Sequence, residues 1–493
     1  MTRSPRLAAL CVGALLVAAV NAAEIPKPPD PGRVKSQLYQ MHNGTLRVAG
    51  PDTAAADAAS HRAAIKTVAE WLAFSVAQPP YNGDPVPRDD KTAAAPNRTM
   101  ADLMFDAEAF TAREGYGLPP PQGSQGKISQ EQLEYAAEFG KAMAAAAKVV
   151  LDNSVKPIER INVVRLMSIT ARIPAPDLVD PLVAVVNNPK GSDAEKLYAF
   201  QGLRNLLEQS DVTFPDRHIP ELHRNPAKLA EIGQALTNYI TAKRAVRDDK
   251  DRAVVEFVRR YAVEAMAKFK DGVLRKPNKD LIYRPSWTLA RVMEQDPSAF
   301  PPFTVPEQAE AAVGFCQMKI DPDMNLDVAA FSVAKVLVNF ARAANLDGER
   351  AKRENTPVAV PWKVLAARLS YALAVWREAA KPLPATRSPQ AVVTLATTGV
   401  TLLAIIERDG AKDANTTSET QSIINWATNN PPKAWAERKS AILYQDDPQS
   451  VLPFPAAASL KTPEPKKAAP EAKKEPEPKK APTDAKKGTV PKK

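Results

Sequence analysis

The residue types with which proteins do chemistry are present in this chain, but each candidate lacks part of what its chemistry needs. Asp321-Pro322-Asp323-Met324-Asn325-Leu326-Asp327 has acidic or amide side chains at alternate positions, like the opening of a calcium loop. Such a loop needs a glycine at its sixth position and a bidentate glutamate at its twelfth; Leu326 and Ser332 stand there. Capping of the following helix by Asn325 or Asp327 accounts for the same residues. His218 and His223 are separated by Pro220 and are not spaced as two ligands on one helix face. The sequence reads them as histidines of a surface loop. Cys316, in Val313-Gly314-Phe315-Cys316-Gln317-Met318, has no histidine near it in sequence to activate a thiolate. It reads as a small buried hydrophobe. No serine lies in a G-x-S-x-G turn, and no G-x-G-x-x-G, phosphate-binding loop, C-x-x-C or C-x-x-C-H occurs. The expectation is therefore a chain without metal or cofactor whose body is non-catalytic. A catalytic site would have to assemble from residues distant in sequence.

The charge is unevenly placed. The formal net charge is +10. From Lys461 onward, 11 lysines face five acids, and the first 23 residues add Arg3 and Arg6, so the body between is left at about +2. A basic chain can indicate nucleic-acid binding. Here the charge sits in the two ends, and no basic stripe with interleaved aromatics runs through the body, so no specific nucleic acid is expected. Residues 1–23 have the form of a secretory signal: Arg3 and Arg6, the apolar run Leu7–Val20, then the small-residue exit Val20-Asn21-Ala22. This implies an exported protein, periplasmic or extracellular, with no transmembrane anchor once the leader is cut. Cys316 is then its one cysteine, and packing must supply the stability that secreted proteins often take from disulfides. Residues 456–493 are rich in Lys, Pro and Ala with almost nothing apolar beyond alanine; such a tail is expected to be disordered.

What must position any site is helical. From Ile158 to Ile169, apolar residues point nearly all round, which predicts a buried helix opened by Pro157 and interrupted by Asn162 and Arg165. Leu178–Val186 predicts the next helix. Ser192 and Glu195 form a capping box for a third. On that third helix Ala199, Phe200, Leu203, Leu206 and Leu207 share one face, and Gln201, Arg204, Asn205 and Glu208 share the other. On Asp251–Phe269, Glu256, Arg260 and Glu264 recur at four-residue spacing on one face. Further helices are predicted over Ala55–Val76, Met100–Arg113, Ser129–Leu151 (opened by a Ser129/Gln132 capping box), Pro226–Val246 and Asp327–Ala344. Another carries Trp362, Leu365, Leu369, Ala372 and Trp376 on one face. Ala391–Ile406 is uncharged but shorter than a membrane span, with threonines on one side and large apolar residues on the other, and reads as a core helix. Short helices are expected around Ile423 and Trp435. Gln37–Ala54 has strand-like residues and is expected to form a hairpin. Leu274–Pro306 is broken by prolines, and residues 78–127 form a long Pro-rich loop.

Asp251-Arg252-Ala253-Val254-Val255-Glu256-Phe257-Val258-Arg259-Arg260 and the sequence following it resemble the second helix of a HEAT/armadillo-type repeat. Ile161–Leu166 and Tyr198–Leu203 look like weaker copies. Ile161 and Tyr198 are 37 residues apart, near the repeat length of about 40–47; Tyr198 to Tyr261 is 63, which requires an insertion. The resemblance covers about 156–270. It implies an all-α, irregular HEAT-like array or solenoid in which second helices line one surface. The predicted organisation is a signal peptide (1–23), an N-terminal region (24–128), a helical repeat-like body (129–455) and the tail (456–493).

Function then divides three ways. The first reading is an exported, non-catalytic scaffold for protein–protein interaction, its partner another protein. Its binding residues would be Gln201, Arg204, Asn205, Glu208, Glu256, Arg260 and Glu264. Arg204 and Arg260 would be outside the core, so truncating them would leave stability nearly unchanged. The second is an enzyme or ligand-binding all-α domain with a site near the 78–127 loop. The third is an inert body tethered to an anionic surface by its basic tail.

Overall fold

The computed structural model describes residues 24–43, 45–46, 48, 54–84, 100–110, 130–208, 221–432, 440–447 and 449–453. The chain divides into two units, Met1–Phe454 and Pro455–Lys493. The second, with the tail, lies outside the described residues, as do the leader, His218, Trp435 and Ser129.

The first unit is all-α, with 15 α-helices and only two short hairpins among the described residues. In order they are α1 (Pro31–His42), α2 (Ala55–Ser75), α3 (Met100–Phe110), α4 (Gln130–Asn153), α5 (Pro157–Thr170), α6 (Val179–Asn187), α7 (Asp193–Glu208), α8 (Pro226–Ile240) and α9 (Asp249–Met266). After them come α10 (Pro285–Met293), α11 (Val305–Gln317), α12 (Leu326–Glu354), α13 (Trp362–Ala380), α14 (Pro389–Asp413) and α15 (Thr417–Asn429). Strands β1 (Leu274–Arg275) and β2 (Leu281–Tyr283) pair antiparallel, as do β3 (Ser440–Ile442) and β4 (Val451–Pro453).

Most boundaries follow from local chemistry. Pro157 opens α5 at a position whose N–H is not needed. At α7, the Ser192 hydroxyl accepts from Glu195 N–H at 3.2 Å while Glu195 Oε1 accepts from Ser192 N–H at 3.3 Å, the predicted capping box. Thr304 and Glu307 make the same device at α11. Asn325 caps α12, accepting from Val328 N–H.

Helices α5, α7, α9, α11 and α13 form one row, each packed on the next, while α6 lies against α7 and α8, α8 against α9, and α10 against α11 and α12. Within the row neighbours run parallel. Arg204 meets Glu264 and Glu208 meets Lys268, the same sequence offset of 60 at both levels. Ahead of the row, α2 packs along α4 and α3 on α5; after it, α14 packs on α13 and α12. The core side of α13 is the predicted Trp362, Leu365, Leu369, Ala372 and Trp376, all buried. On α14, Val392, Leu395, Leu402, Leu403 and Ile406 are buried, while the Thr397 and Thr401 hydroxyls donate back to the carbonyls of Val393 and Thr397 on an exposed side. That helix is long and apolar enough by composition to cross a membrane, but its apolar side is taken up by α12, α13 and α15.

Glycine matters where helices close up. A Cβ at Gly314 would meet the Cα of Ala267, so its absence lets α11 sink against the end of α9. A Cβ at Gly348 would meet the Ala411 carbonyl, so α12 and α14 touch backbone to backbone there.

Two expectations are corrected. The hairpin over Gln37–Ala54 is not formed by the described residues: Gln37–His42 belong to α1, whose Val34, Leu38 and Met41 face the core at helical spacing. Leu46 and Val48, beyond the end of α1, are buried but stand in no strand among the described residues. The proline-broken stretch Leu274–Pro306 contains α10, which Pro285 opens rather than breaks because it occupies the first turn.

Candidate functional site

Each sequence candidate has a definite place. Asp321 and Asp323 do not form a cation loop. Both face Arg275, at 3.6 and 3.0 Å, with Asp446 at 3.6 Å from the same guanidinium group. Arg387 donates to the carbonyls of Asp321 and Met324. Gln445 N–H donates to Asp323 O, and Asn325 N–H donates to Leu443 O. This stretch is where the segment around β3 and β4 is fastened. Arg284 completes the fastening through Asp446 and Asp447 at 2.6 and 2.5 Å, lying over the Tyr444 ring.

His223 is not the exposed loop histidine that its neighbours suggest. Its ring is largely enclosed, its Nε2 has no hydrogen-bond partner, and burial pushes its pKa down to about 4. It is therefore neutral near pH 7. The Cys316 thiol is buried, and burial raises its pKa, so it is an inert packing group as expected.

Among the described residues, a groove of about 830 Å³ lies between α4 and α6. Ala144, Ala145, Leu151, Pro181 and Val185 line it, with Lys141 and Lys148 on one side and Asp177 and Asp180 on the other. Its lining contains no histidine, cysteine, serine or tyrosine. Arg160 is spent on Glu195 and the Leu151 carbonyl, at 3.0 and 2.6 Å. The described part of the 78–127 loop is structural: Asn162 donates to the carbonyls of Val76 and Tyr81, and Asn82 to Glu159. Asp84 pairs with Lys156.

Of the polar residues expected to bind a partner, Arg204, Glu208, Arg260 and Glu264 come together in ion pairs. On the outer side of the row, Arg204 of α7 reaches Glu264 of α9 at 3.1 Å. Arg260 stands 3.4 Å from Glu264 and 3.1 Å from Glu310 of α11. Glu310 also receives Arg368 of α13 at 2.7 Å. The result is a ladder of alternating charge, Arg204–Glu264–Arg260–Glu310–Arg368, crossing four helices. Lys268 and Glu208 add a parallel rung at 2.9 Å. Asn205 donates one amide N–H to the Ser168 carbonyl of α5 at 2.9 Å. Gln201 and Glu256 are half-buried on the same helices.

The ladder revises the expectation that truncating Arg260 leaves stability nearly unchanged. Glu310 is 0 % exposed, so Arg260 and Arg368 compensate a carboxylate removed from water. Burial raises the Glu310 pKa above its ordinary 4.5; Arg368 and Arg260 oppose the rise, and Glu264 adds to it.

Sequence reasoning missed Glu310, Arg368 and Lys268, and with them the apolar side chains around the ladder. Phe257 and Tyr371 are 53 % and 64 % exposed, and Val254 and Val364 are also exposed. Phe257 and Tyr261 stack edge to face, 5.2 Å between centroids. One signal was legible: beyond the capping Glu307, Glu310 is the one acid of a helix whose remaining residues are mostly Ala, Val, Gly and Phe. Such a residue needs a cation from a neighbouring element.

No family model, no curated protein and no solved structure matches this chain.

Proposed function

We propose that the protein is an exported helical scaffold that binds another protein through the outer side of the α7–α9–α11–α13 row, in a HEAT-like, solenoid arrangement. The observation that carries the reading is the combination on that side of large exposed apolar residues with a row of arginines. Phe257, Val364 and Tyr371 are exposed on the helices that carry Arg260 and Arg368, with Arg204 on the neighbouring α7. Interfaces concentrate their energy in aromatic side chains and arginine. A parallel row of second helices is the surface that repeat proteins use for long partners. The solenoid reading draws support from the succession of contacts along the row; the 63-residue step between Tyr198 and Tyr261 makes it irregular.

The enzyme reading is weaker. The α4–α6 groove is open, and its lining offers carboxylates and amines without a hydroxyl, a thiol or an imidazole. The reading in which the basic tail tethers the body to an anionic surface rests on residues outside those described.

The test is affinity capture from the compartment in which the protein resides. The wild type, Phe257→Asp combined with Tyr371→Asp, and Leu346→Asp as an exposed control on α12 would be compared. Loss of a defined partner with the double variant alone supports the proposal; retention of every partner by the double variant refutes it.

A further inference from the structure

The outer side of the row is layered by charge. The acids Glu264 and Glu310 lie at the bottom, 10 % and 0 % exposed, while Arg204, Arg260 and Arg368 cover them with 36 %, 26 % and 37 % of their side chains in solvent. An approaching molecule therefore meets guanidinium groups. Arg204 and Arg260 each hydrogen-bond into the ladder through one terminal nitrogen, Nη1 to Glu264 and Nη2 to Glu310, so the other terminal nitrogen is left for a second acceptor. Where α11 is recessed, a cleft of about 290 Å³ opens between the end of α9 and α13. Lys268 and Arg368 stand in it with Gln317, the floor is Ala267 and Val313, and Tyr371 forms its rim.

Cations above an apolar floor, edged by an exposed tyrosine ring, complement a carboxylate next to a large apolar side chain. We propose that this cleft and the adjoining arginines receive an acidic segment of a partner protein, one that sets an aliphatic or aromatic side chain on Ala267 and Val313 beside an aspartate or glutamate directed at Arg368 and Lys268. The proposal rests on the interaction role argued above and adds the chemistry of what binds. Arginine suits this role because its planar fork can hold Glu310 with one edge and keep donors for a second carboxylate. The apolar floor contributes affinity, and the cations select against basic or neutral segments.

The test is selection of random twelve-residue peptides displayed on phage against the full mature chain, read by sequencing and then by fluorescence anisotropy of the winners. The expected result is enrichment of Asp or Glu adjacent to Leu, Phe, Tyr or Trp. Winners should lose at least tenfold in affinity with Tyr371→Ala and with Arg368→Gln, and keep it with Leu346→Ala. A winner remade with Asn and Gln for its acids should lose a similar factor. Winners that depend on Tyr371 but tolerate loss of their acids would overturn the acidic-segment proposal and leave the interaction role standing. Winners indifferent to Tyr371 and Arg368, winners rich in Lys and Arg, or no winners would overturn the proposal; indifference to both residues would also count against the interaction role. Circular dichroism of each variant separates lost binding from lost folding.

Discussion

Arg259 and Arg260 are neighbours in sequence, and each pairs with a glutamate of α11. On the inner side, Arg259 and Glu307 are 1 % and 0 % exposed and meet at 2.6 and 3.0 Å. The guanidinium group also donates to the carbonyls of Pro301 and Pro302 and lies over the Phe303 ring. Glu307 in turn closes the Thr304 capping box. On the outer side, Arg260 holds an equally buried Glu310, but its own side chain is 26 % exposed and reaches solvent. The first pair is closed, with its polar partners supplied inside the fold. The second is open to solvent, with exposed Phe257 and Tyr371 on the same helices. A buried ion pair holds elements in register when its surroundings complete it; the same pair with an open edge can also recognise something else.

Breaking the inner pair should have the largest effect. Arg259→Ala leaves Glu307 buried without its cation, and removing one member of a buried pair costs about 3–5 kcal/mol. Urea denaturation should show this as a lower midpoint, and Arg259→Met should recover only part of it because Glu307 stays unpaired. On the outer side, Arg260→Ala should cost less, about 1–2 kcal/mol, because Arg368 still covers Glu310. Combining Arg260→Ala with Arg368→Ala should cost more than the sum of the single changes, since only then is Glu310 without a cation. Arg204→Ala is the mildest: its side chain is 36 % exposed and Glu264 keeps Arg260, so the loss should be below about 1 kcal/mol and shrink in high salt.

Titration sharpens the contrast from another direction. The Glu310 carboxyl binds its proton more tightly in the folded state than in the unfolded chain, because burial penalises the anion. An acid raised in this way favours folding below its unfolded pKa, and that advantage is lost as pH rises through the folded value. Stability of the wild type should therefore carry a component that falls as pH rises above about 4.5. Glu310→Gln should remove that component. An unchanged pH profile of stability in that variant would contradict the burial assigned to Glu310.

How much of this was legible in the sequence depends on whether the signal was periodic or depended on distant contacts. The faces of α7 and α13, the capping box at Ser192 and the core side of α14 follow from 3.6-residue periodicity and cap chemistry, and they stand in the structure as read. Arg204, Arg260 and Glu264 were placed on shared faces for the same reason. Their partners were not legible, because the ladder is set by register between helices 50 to 60 residues apart, which no local pattern encodes. Asp321 and Asp323 misled in the same way, since the arginine that accounts for them, Arg275, lies on β1, beyond α10 and α11 in the chain. His223 looked exposed from its polar neighbours, and only tertiary packing encloses it.

The central claim is that the outer side of the row is an interaction surface, whereas other exposed apolar positions are not. A photo-crosslinking residue placed at Tyr371, at Phe257 and, for comparison, at Leu346 and Val155 tests this in the cell that makes the protein. All four positions are exposed, so reactivity alone does not distinguish them. The account predicts a discrete cross-linked product at Tyr371 and Phe257, of the same partner mass, and none at Leu346 or Val155. Equal labelling at all four positions, or a discrete product at Leu346 or Val155 alone, would contradict it.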